Sequence, residues 1–226
     1  GNKIETAFWD KRQLVKKINL NSLYGAILNP GCRFFDHRIG QSTTLTGRAI
    51  AKHMSAKVNE IITGEYDHVG KSIIYGDTDS VYFSAYTSLR AEIQKGEIPW
   101  NKESVIQLYD QICEEANTTF PKFMADAFHC PKSRGEVIAA GREIVAEKGL
   151  YITKKRYAAL IYDLEGFRTD VEGKPGKVKA MGLDLKRSDT PVFMQDFLSE
   201  VLLAVLTGAQ EDHVLEMITD FRTKFK

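Results

Sequence analysis

Apolar residues recur at helical spacing through the first sixty positions. Leu14, Ile18, Leu20, Leu23 and Ile27 form a stripe that predicts an amphipathic helix from Lys11 to Leu28, ended by Asn29-Pro30-Gly31. Residues 31–39, with Arg33-Phe34-Phe35-Asp36, fit a short connecting strand or loop. Over residues 41–62, Ile50, Met54, Val58, Ile61 and Ile62 predict a second helix, with Ser42, Thr43 and Thr44 offered as N-caps. The pattern then shortens. Lys71-Ser72-Ile73-Ile74-Tyr75 and Ser80-Val81-Tyr82-Phe83-Ser84 are β-rich and flank the turn residues Gly76-Asp77-Thr78-Asp79, which predicts a hairpin. Val105, Leu108, Ile112 and Ala116 mark one face of a long helix over 103–127. Three β-rich segments follow, 136–147, 150–163 and 177–185, the last two separated by the turn Glu172-Gly173-Lys174-Pro175-Gly176. Thr190-Pro191 would cap and open a final helical region over 191–226.

Long helices alternating with hairpins predict an α+β fold with an antiparallel sheet flanked by helices. Both ends of the chain are helical and read as parts of neighbouring elements. Composition leaves this picture intact. The 226 residues suffice for one domain or a domain and a half, and 43% hydrophobic with 27% charged residues is globular rather than disordered. The longest apolar run, Val201 to Leu206, is far short of the ~20 residues a membrane helix needs. The polar start Gly1-Asn2-Lys3-Ile4-Glu5 is no signal peptide, and Gly1 fits a scar of tag cleavage. Cys32, Cys113 and Cys130 are odd in number and widely spaced, which suggests free thiols in a reducing compartment. A net charge of +1 gives no general support to nucleic-acid binding. A DNA-binding reading therefore needs basic residues gathered on one face, or a binding surface shared with another chain.

Four local patterns offer chemistry. In Tyr75-Gly76-Asp77-Thr78-Asp79-Ser80, two carboxylates two residues apart sit at a tight turn between apolar strands. Their repulsion is relieved by a divalent cation, and Mg²⁺ with oxygen ligands suits phosphoryl or nucleotidyl transfer. The same residues also make an ordinary polar hairpin tip. On the first helix, Lys17, Asn21, Tyr24, Gly25 and Leu28 share one face, and Gln13 extends the stripe. A cation, an amide, a ring and a glycine in that order could track a nucleotide. The bland alternative is a solvated lysine with Tyr24 in the core. Lys154-Lys155-Arg156-Tyr157 places three cations in a β-rich context, with side chains on both faces, where they could grip a phosphate backbone. They could also be a plain exposed strand. Glu143 and Glu147 could add a carboxylate to a metal cluster, or be solvated on an edge strand.

Taken together and in order, these segments resemble family B DNA polymerases. Lys17 with Asn21-Ser22-Leu23-Tyr24-Gly25 looks like their motif B, Tyr75 to Ser80 like motif C, and Lys154-Lys155-Arg156-Tyr157 like their Lys-Lys-x-Tyr motif. Thr44-Leu45-Thr46-Gly47-Arg48, Lys179-Ala180-Met181-Gly182 and Ser188-Asp189-Thr190-Pro191 are similar to further stretches of the family. The resemblance covers nearly the whole chain and is strongest to the replicative members of T-even-like phages. It implies a C-terminal fingers helix at 1–30, a palm at 31–188 with a palm-type antiparallel sheet, and the start of a helical thumb at 189–226.

By the same resemblance, Lys17 and Asn21 contact the incoming triphosphate, and Tyr24 and Gly25 lie against the nascent base pair. Asp79, with Asp77 beside it, holds two Mg²⁺, and Glu143 is an accessory acid. Lys155 reaches the primer-terminal minor groove, with Lys154, Arg156 and Tyr157 along the primer strand. The motif A aspartate of the family has no counterpart here, nor has the other fingers helix or the exonuclease. The expectation is a piece of a longer DNA-directed DNA polymerase or one product of a split gene, inactive alone. Its partners would be primer-template DNA, a deoxynucleoside triphosphate (dNTP) and a second chain supplying motif A. Its location would be cytoplasmic, in the host if phage-encoded, with no membrane association. A non-catalytic DNA-binding subunit or remnant is the alternative. An unrelated Mg²⁺-dependent phosphohydrolase leaves the first-helix and Lys-Lys-Arg segments unexplained.

Overall fold

The first helix, α1 (Lys3–Leu28), begins eight residues earlier than the apolar stripe indicates and has no buried residue. Leu14, Ile18, Leu20 and Leu23 are each more than half exposed. A computed structural model describes residues 3–171 and 173–224. Gly1 and Asn2 of the polar start and Glu172 of the expected turn lie outside the described residues. The chain divides into two compact units, one ending at His53 and one beginning at Met54.

In the first unit, residues 29–36 form a loop whose Asp36 N–H donates to the Ile27 carbonyl at 3.0 Å. Asp36 then opens α2 (His37–Thr63): its carboxylate accepts from the Arg38 N–H at 2.9 Å. The candidate caps Thr43 and Thr44 lie inside this helix instead. Their hydroxyls donate back to the Ile39 and Gly40 carbonyls, each at 2.9 Å.

The second unit is α+β. The hairpin β1 (Ile73–Asp77) and β2 (Ser80–Phe83) forms a two-stranded antiparallel sheet, as the pattern predicts. After a short α3 (Arg90–Gln94), Asn101 caps α4 (Lys102–Phe128) by accepting from the Ser104 N–H at 3.0 Å. A brief α5 (Lys132–Gly135) follows. The second sheet is centred on β4 (Arg156–Leu164), with β3 (Ile144–Thr153) on one edge and β5 (Phe167–Arg168) and β6 (Lys177–Met181) on the other. All pairings are antiparallel.

Two boundaries differ from the expected ones. Residues 136–143 are not strand, and residues 144–153 run as one strand through the expected break, because the turn falls at Lys154-Lys155. The terminal helical region is two helices, α6 (Val192–Thr207) and α7 (Glu211–Thr223), separated at Gly208, which adopts φ 96°. Pro191 is itself the N-cap of α6, and the Thr190 hydroxyl donates to the Asp184 carbonyl at 2.9 Å.

Helix α4 serves both sheets. Ile112 and Ala116 pack with Val58 of α2 against Ile73 and Phe83 of the hairpin. Two turns earlier, Val105 packs with Val145 and Tyr162 of β3 and β4. Leu206 of α6 covers Ala158 and Leu160 of β4, with Val178 and Ala180 of β6 around them. Tyr157 to Asp163 are all buried, so the centre of the sheet reads as a continuous run rather than an alternation.

Candidate active site

The hairpin turn comprises Thr78 and Asp79, closed by the pairing of Asp77 with Ser80. Asp77 ends β1 half-buried, on the face it shares with Ile73 and Tyr75. Asp79 is exposed in the two-residue loop, so its place beside Asp77 comes from the turn and not from strand alternation. Thr78 has φ 26°. A β-branched residue at positive φ is strained, and such strain concentrates at functional sites. The Thr78 hydroxyl donates to an Asp77 carboxylate oxygen at 3.1 Å. The hairpin is anchored from behind by Asn59 of α2, which is fully buried. Its amide accepts from the Ser72 N–H at 3.1 Å and donates to the Glu65 carbonyl at 2.8 Å and the Thr63 hydroxyl at 3.1 Å.

The second turn is Lys154-Lys155, between Thr153 and Arg156 of the β3–β4 pair. Lys155 has φ 62°, a left-handed conformation for a non-glycine residue. Lys154, Lys155 and Arg156 are exposed. The expected strand with cations on both faces is thus a hairpin tip that presents them together. Arg156 Nε donates to the Gly182 carbonyl at 3.2 Å. Gly182, at φ 65°, lies so close to this tip that a Cβ there would sit 2.1 Å from the Lys155 carbonyl oxygen. Tyr157, placed along the primer strand by the resemblance, is buried at 2% exposure.

Four tyrosines join the two hairpins. Tyr75 and Tyr82 are cross-strand partners in one, Tyr151 and Tyr157 in the other. Their rings pack with centroids 5.3 to 5.9 Å apart. The Tyr82 and Tyr157 hydroxyls are hydrogen-bonded at 2.7 Å, and the Tyr75 hydroxyl accepts from the Lys155 backbone N–H at 2.8 Å. Burial, then the bond to Tyr157, drives the Tyr82 phenol far above its ordinary value; burial pushes Tyr151 up to about 12. Sequence reasoning gave these tyrosines no common role. Their signal was available as one paired Tyr in each strand of both hairpins.

Glu143 and Glu147 do not gather at the carboxylate turn. The Lys179 ammonium donates to Glu143 at 2.7 Å, and Glu147 lies 3.4 Å from Lys102. Lys102 also binds Asp170 at 2.7 Å, and Arg168 grips Asp170 through two bonds of 2.8 Å. Arg142 bridges Asp110 and the buried Asp163. These are bracing ion pairs around β4. Among the described residues, no three His, Cys, Asp or Glu side chains could hold a metal ion together. Asp77 and Asp79 carry hard oxygen donors of the kind that suits Mg²⁺, and two carboxylates alone are fewer donors than that ion takes.

Lys17, Asn21, Tyr24 and Gly25 belong to the other unit, on one face of α1. Lys17 and Asn21 are exposed and Tyr24 is half-buried. A Cβ added at Gly25, in the last turn of α1, would meet no atom of another segment within 4 Å, so packing among the described residues does not explain a glycine there. The three cysteines are free thiols. No described helix is long and apolar enough to cross a membrane.

The family model for DNA polymerase family B matches residues 1–123. The chain is 28% identical over 203 residues to the DNA-directed DNA polymerase of Escherichia phage RB69, covering 86% of this chain and 22% of that one. It is 27% identical over 235 residues to that of Enterobacteria phage T4, covering 95% and 24%. It is 28% identical over 213 residues to DNA polymerase II of Escherichia coli K12, covering 89% and 23%. The chain thus spans less than a quarter of the length of these relatives.

Proposed function

The chain belongs to DNA polymerase family B, and we propose that it supplies the palm-centred part of an enzyme for template-directed DNA synthesis. The reaction is transfer of a nucleotide from a dNTP to a primer 3′-hydroxyl. Residues 1–30 act as a fingers helix, 31–188 as the palm and 189–226 as the start of the thumb. The observation that carries the reading is the bond from the Lys155 N–H to the Tyr75 hydroxyl. It ties the cation turn to the strand that ends in Asp77.

In this reading Asp79 and Asp77 would be ligands of Mg²⁺, with the missing donor contributed by the family's motif A segment. Bound there, the ions supply charge stabilisation to nucleotidyl transfer. The chain's own residues hold and orient. Lys155, with Lys154 and Arg156, grips the primer end, while Tyr157 supports their hairpin. Lys17 and Asn21 meet the triphosphate, and Tyr24 lies beside the nascent base pair. Gly25 leaves the space that a base pair needs, which accounts for a helical glycine without a packing role. Glu143 serves through its pair with Lys179 rather than as a ligand. The enzyme works in the cytoplasm, the host's where a phage encodes it.

The isolated chain is expected to be inactive, because two carboxylates on one turn do not fix two metal ions. Co-expression with a chain supplying motif A, the other fingers helix and the exonuclease is expected to give primer extension. Asp79→Asn in that assembly abolishes extension and leaves primer-template binding nearly intact. Full extension by the Asp79→Asn assembly refutes the catalytic assignment. A DNA-binding remnant is the second reading, favoured by the engagement of Glu143 with Lys179. It predicts DNA binding without extension whatever chain is added.

A further inference from the structure

We propose that Tyr75 is a positioning residue that locks the Lys154-Lys155 turn to the Asp77–Asp79 turn, so that the primer grip and the carboxylates move as one body. The proposal rests on the polymerase reading above and adds to it the device that sets the distance between its two halves.

Tyr75 stands two residues before Asp77 on the same face of β1, so a displacement of one is a displacement of the other. Its hydroxyl accepts the Lys155 N–H at 2.8 Å, across 80 residues of sequence. Lys155 itself is exposed at the hairpin tip. The acceptor is not a loose side chain. Its ring is held by Tyr82, Tyr151 and Tyr157 at 5.6, 5.9 and 5.8 Å. Aromatic rings at these separations restrict one another's rotation, and a phenol has no further torsion that moves its oxygen. On the carbonyl side of the same residue, Gly182 approaches closely enough that any Cβ would collide with the Lys155 oxygen. The Lys155 backbone, at its left-handed φ of 62°, is therefore held on its amide side by Tyr75 and bounded on its carbonyl side by Gly182.

The arrangement resolves an apparent mismatch. A lysine that positions a primer end is expected to be stiff, yet it lies at a hairpin tip. Stiffness comes from tertiary contacts and not from the turn itself. Positioning to a fraction of an ångström matters for group transfer, since small displacements of reacting groups cost rate steeply.

The test combines hydrogen exchange with a double-mutant cycle. Tyr75→Phe keeps the ring and removes only the acceptor. In the full chain, exchange at the Lys155 amide is expected to accelerate roughly tenfold, the scale of one hydrogen bond. Tyr82→Phe removes a hydroxyl from the same cluster that makes no bond to Lys155, and leaves that exchange unchanged. Equal acceleration in both variants indicates general loosening and overturns the proposal. In the active assembly, Tyr75→Phe is expected to weaken primer-template binding about three- to tenfold. Its effect shrinks when Lys155→Ala is already present, because part of it acts through that side chain and the remainder through Lys154 and Arg156 on the same turn. Additive effects overturn the proposal. Wild-type binding in Lys155→Ala overturns the primer-contact reading instead, while exchange at Lys155 still decides whether Tyr75 holds the turn.

Discussion

Replacing Asn59 with alanine is expected to unseat the carboxylate hairpin without touching it. Asn59 is fully buried, as is Ser72, whose N–H it accepts at 3.1 Å. Truncation leaves that N–H without a partner in a dry environment, at a cost of about 1–3 kcal/mol. The bonds to Glu65 and Thr63 contribute about 1 kcal/mol each. Their carbonyl and hydroxyl recover part of this from water or from each other. The sum is roughly 3–4 kcal/mol, or a fall of about 10 °C in Tm for a chain of this length. The loss should be local as well as global. Ser72 begins the segment leading into β1, and its carbonyl accepts the Ser84 N–H at 2.8 Å, so amide exchange in residues 72–84 should accelerate first. Gly70 supplies an independent check. A Cβ there would lie 2.1 to 2.5 Å from the atoms of the Asn59 amide. Gly70→Ala alone should therefore destabilise the chain, and in the Asn59→Ala background the added methyl should fill the vacated space at little further cost. Thermal unfolding of the two single variants and the double variant measures this. Additivity, or a Tm loss below about 2 °C for Asn59→Ala, would refute the reasoning.

Lys155→Ala in the assembled enzyme should weaken primer-template binding and make the slope of log affinity against log salt shallower by about one unit; an unchanged slope excludes a phosphate contact. Gly182→Ala should cost about 1–2 kcal/mol from its left-handed φ alone. The clash with the Lys155 carbonyl adds to this and displaces the cation turn, so denaturant midpoint and primer affinity should fall together. Asp170 is held far below the usual carboxylate range by its bonds to Arg168 and then Lys102. Its folded pKa is depressed, so its contribution is fully present above about pH 4 and is lost as acid protonates it below that. Unfolding midpoints measured from pH 6 to pH 2 should fall less steeply in Asp170→Asn, and an unaltered acid limb would exclude this role.

The helices and the first hairpin were legible because their apolar periods are local. Ile112 and Ala116 lie on one stripe whichever partner they meet, and Gly76 to Asp79 carry their own turn chemistry. The β3–β4 turn was not legible. The pattern placed its break near Gly149, whereas the chain turns at two lysines, one of them in a left-handed conformation that lysine does not favour on its own. What holds it there is the Tyr75 hydroxyl and the approach of Gly182, contacts remote in sequence. Gly208 carried the ordinary signal for a helix end, but the apolar run before it, Val201 to Leu206, reads as continuing. The pair of carboxylates at Asp77 and Asp79 and the run of cations from Lys154 to Arg156 stand out in the sequence by themselves. The partner of Glu143 does not, because Lys179 lies on a strand 36 residues away. The roles of Asn59 and of the four tyrosines depend on packing between elements, which no local pattern records.

The central strand β4 has a consequence for how this protein can change over generations. Every residue from Tyr157 to Asp163 is buried, and neighbours on both edges read its register. One end meets the tyrosines beneath the lysine tip, and the other carries Asp163 beneath Arg142. Inserting or deleting one residue within it would invert the facing of everything beyond the change and misalign both ends together. Variation in length is thus confined to segments outside β4. The strand can accept a different side chain of similar volume, but its count of residues is fixed by what stands at its two ends.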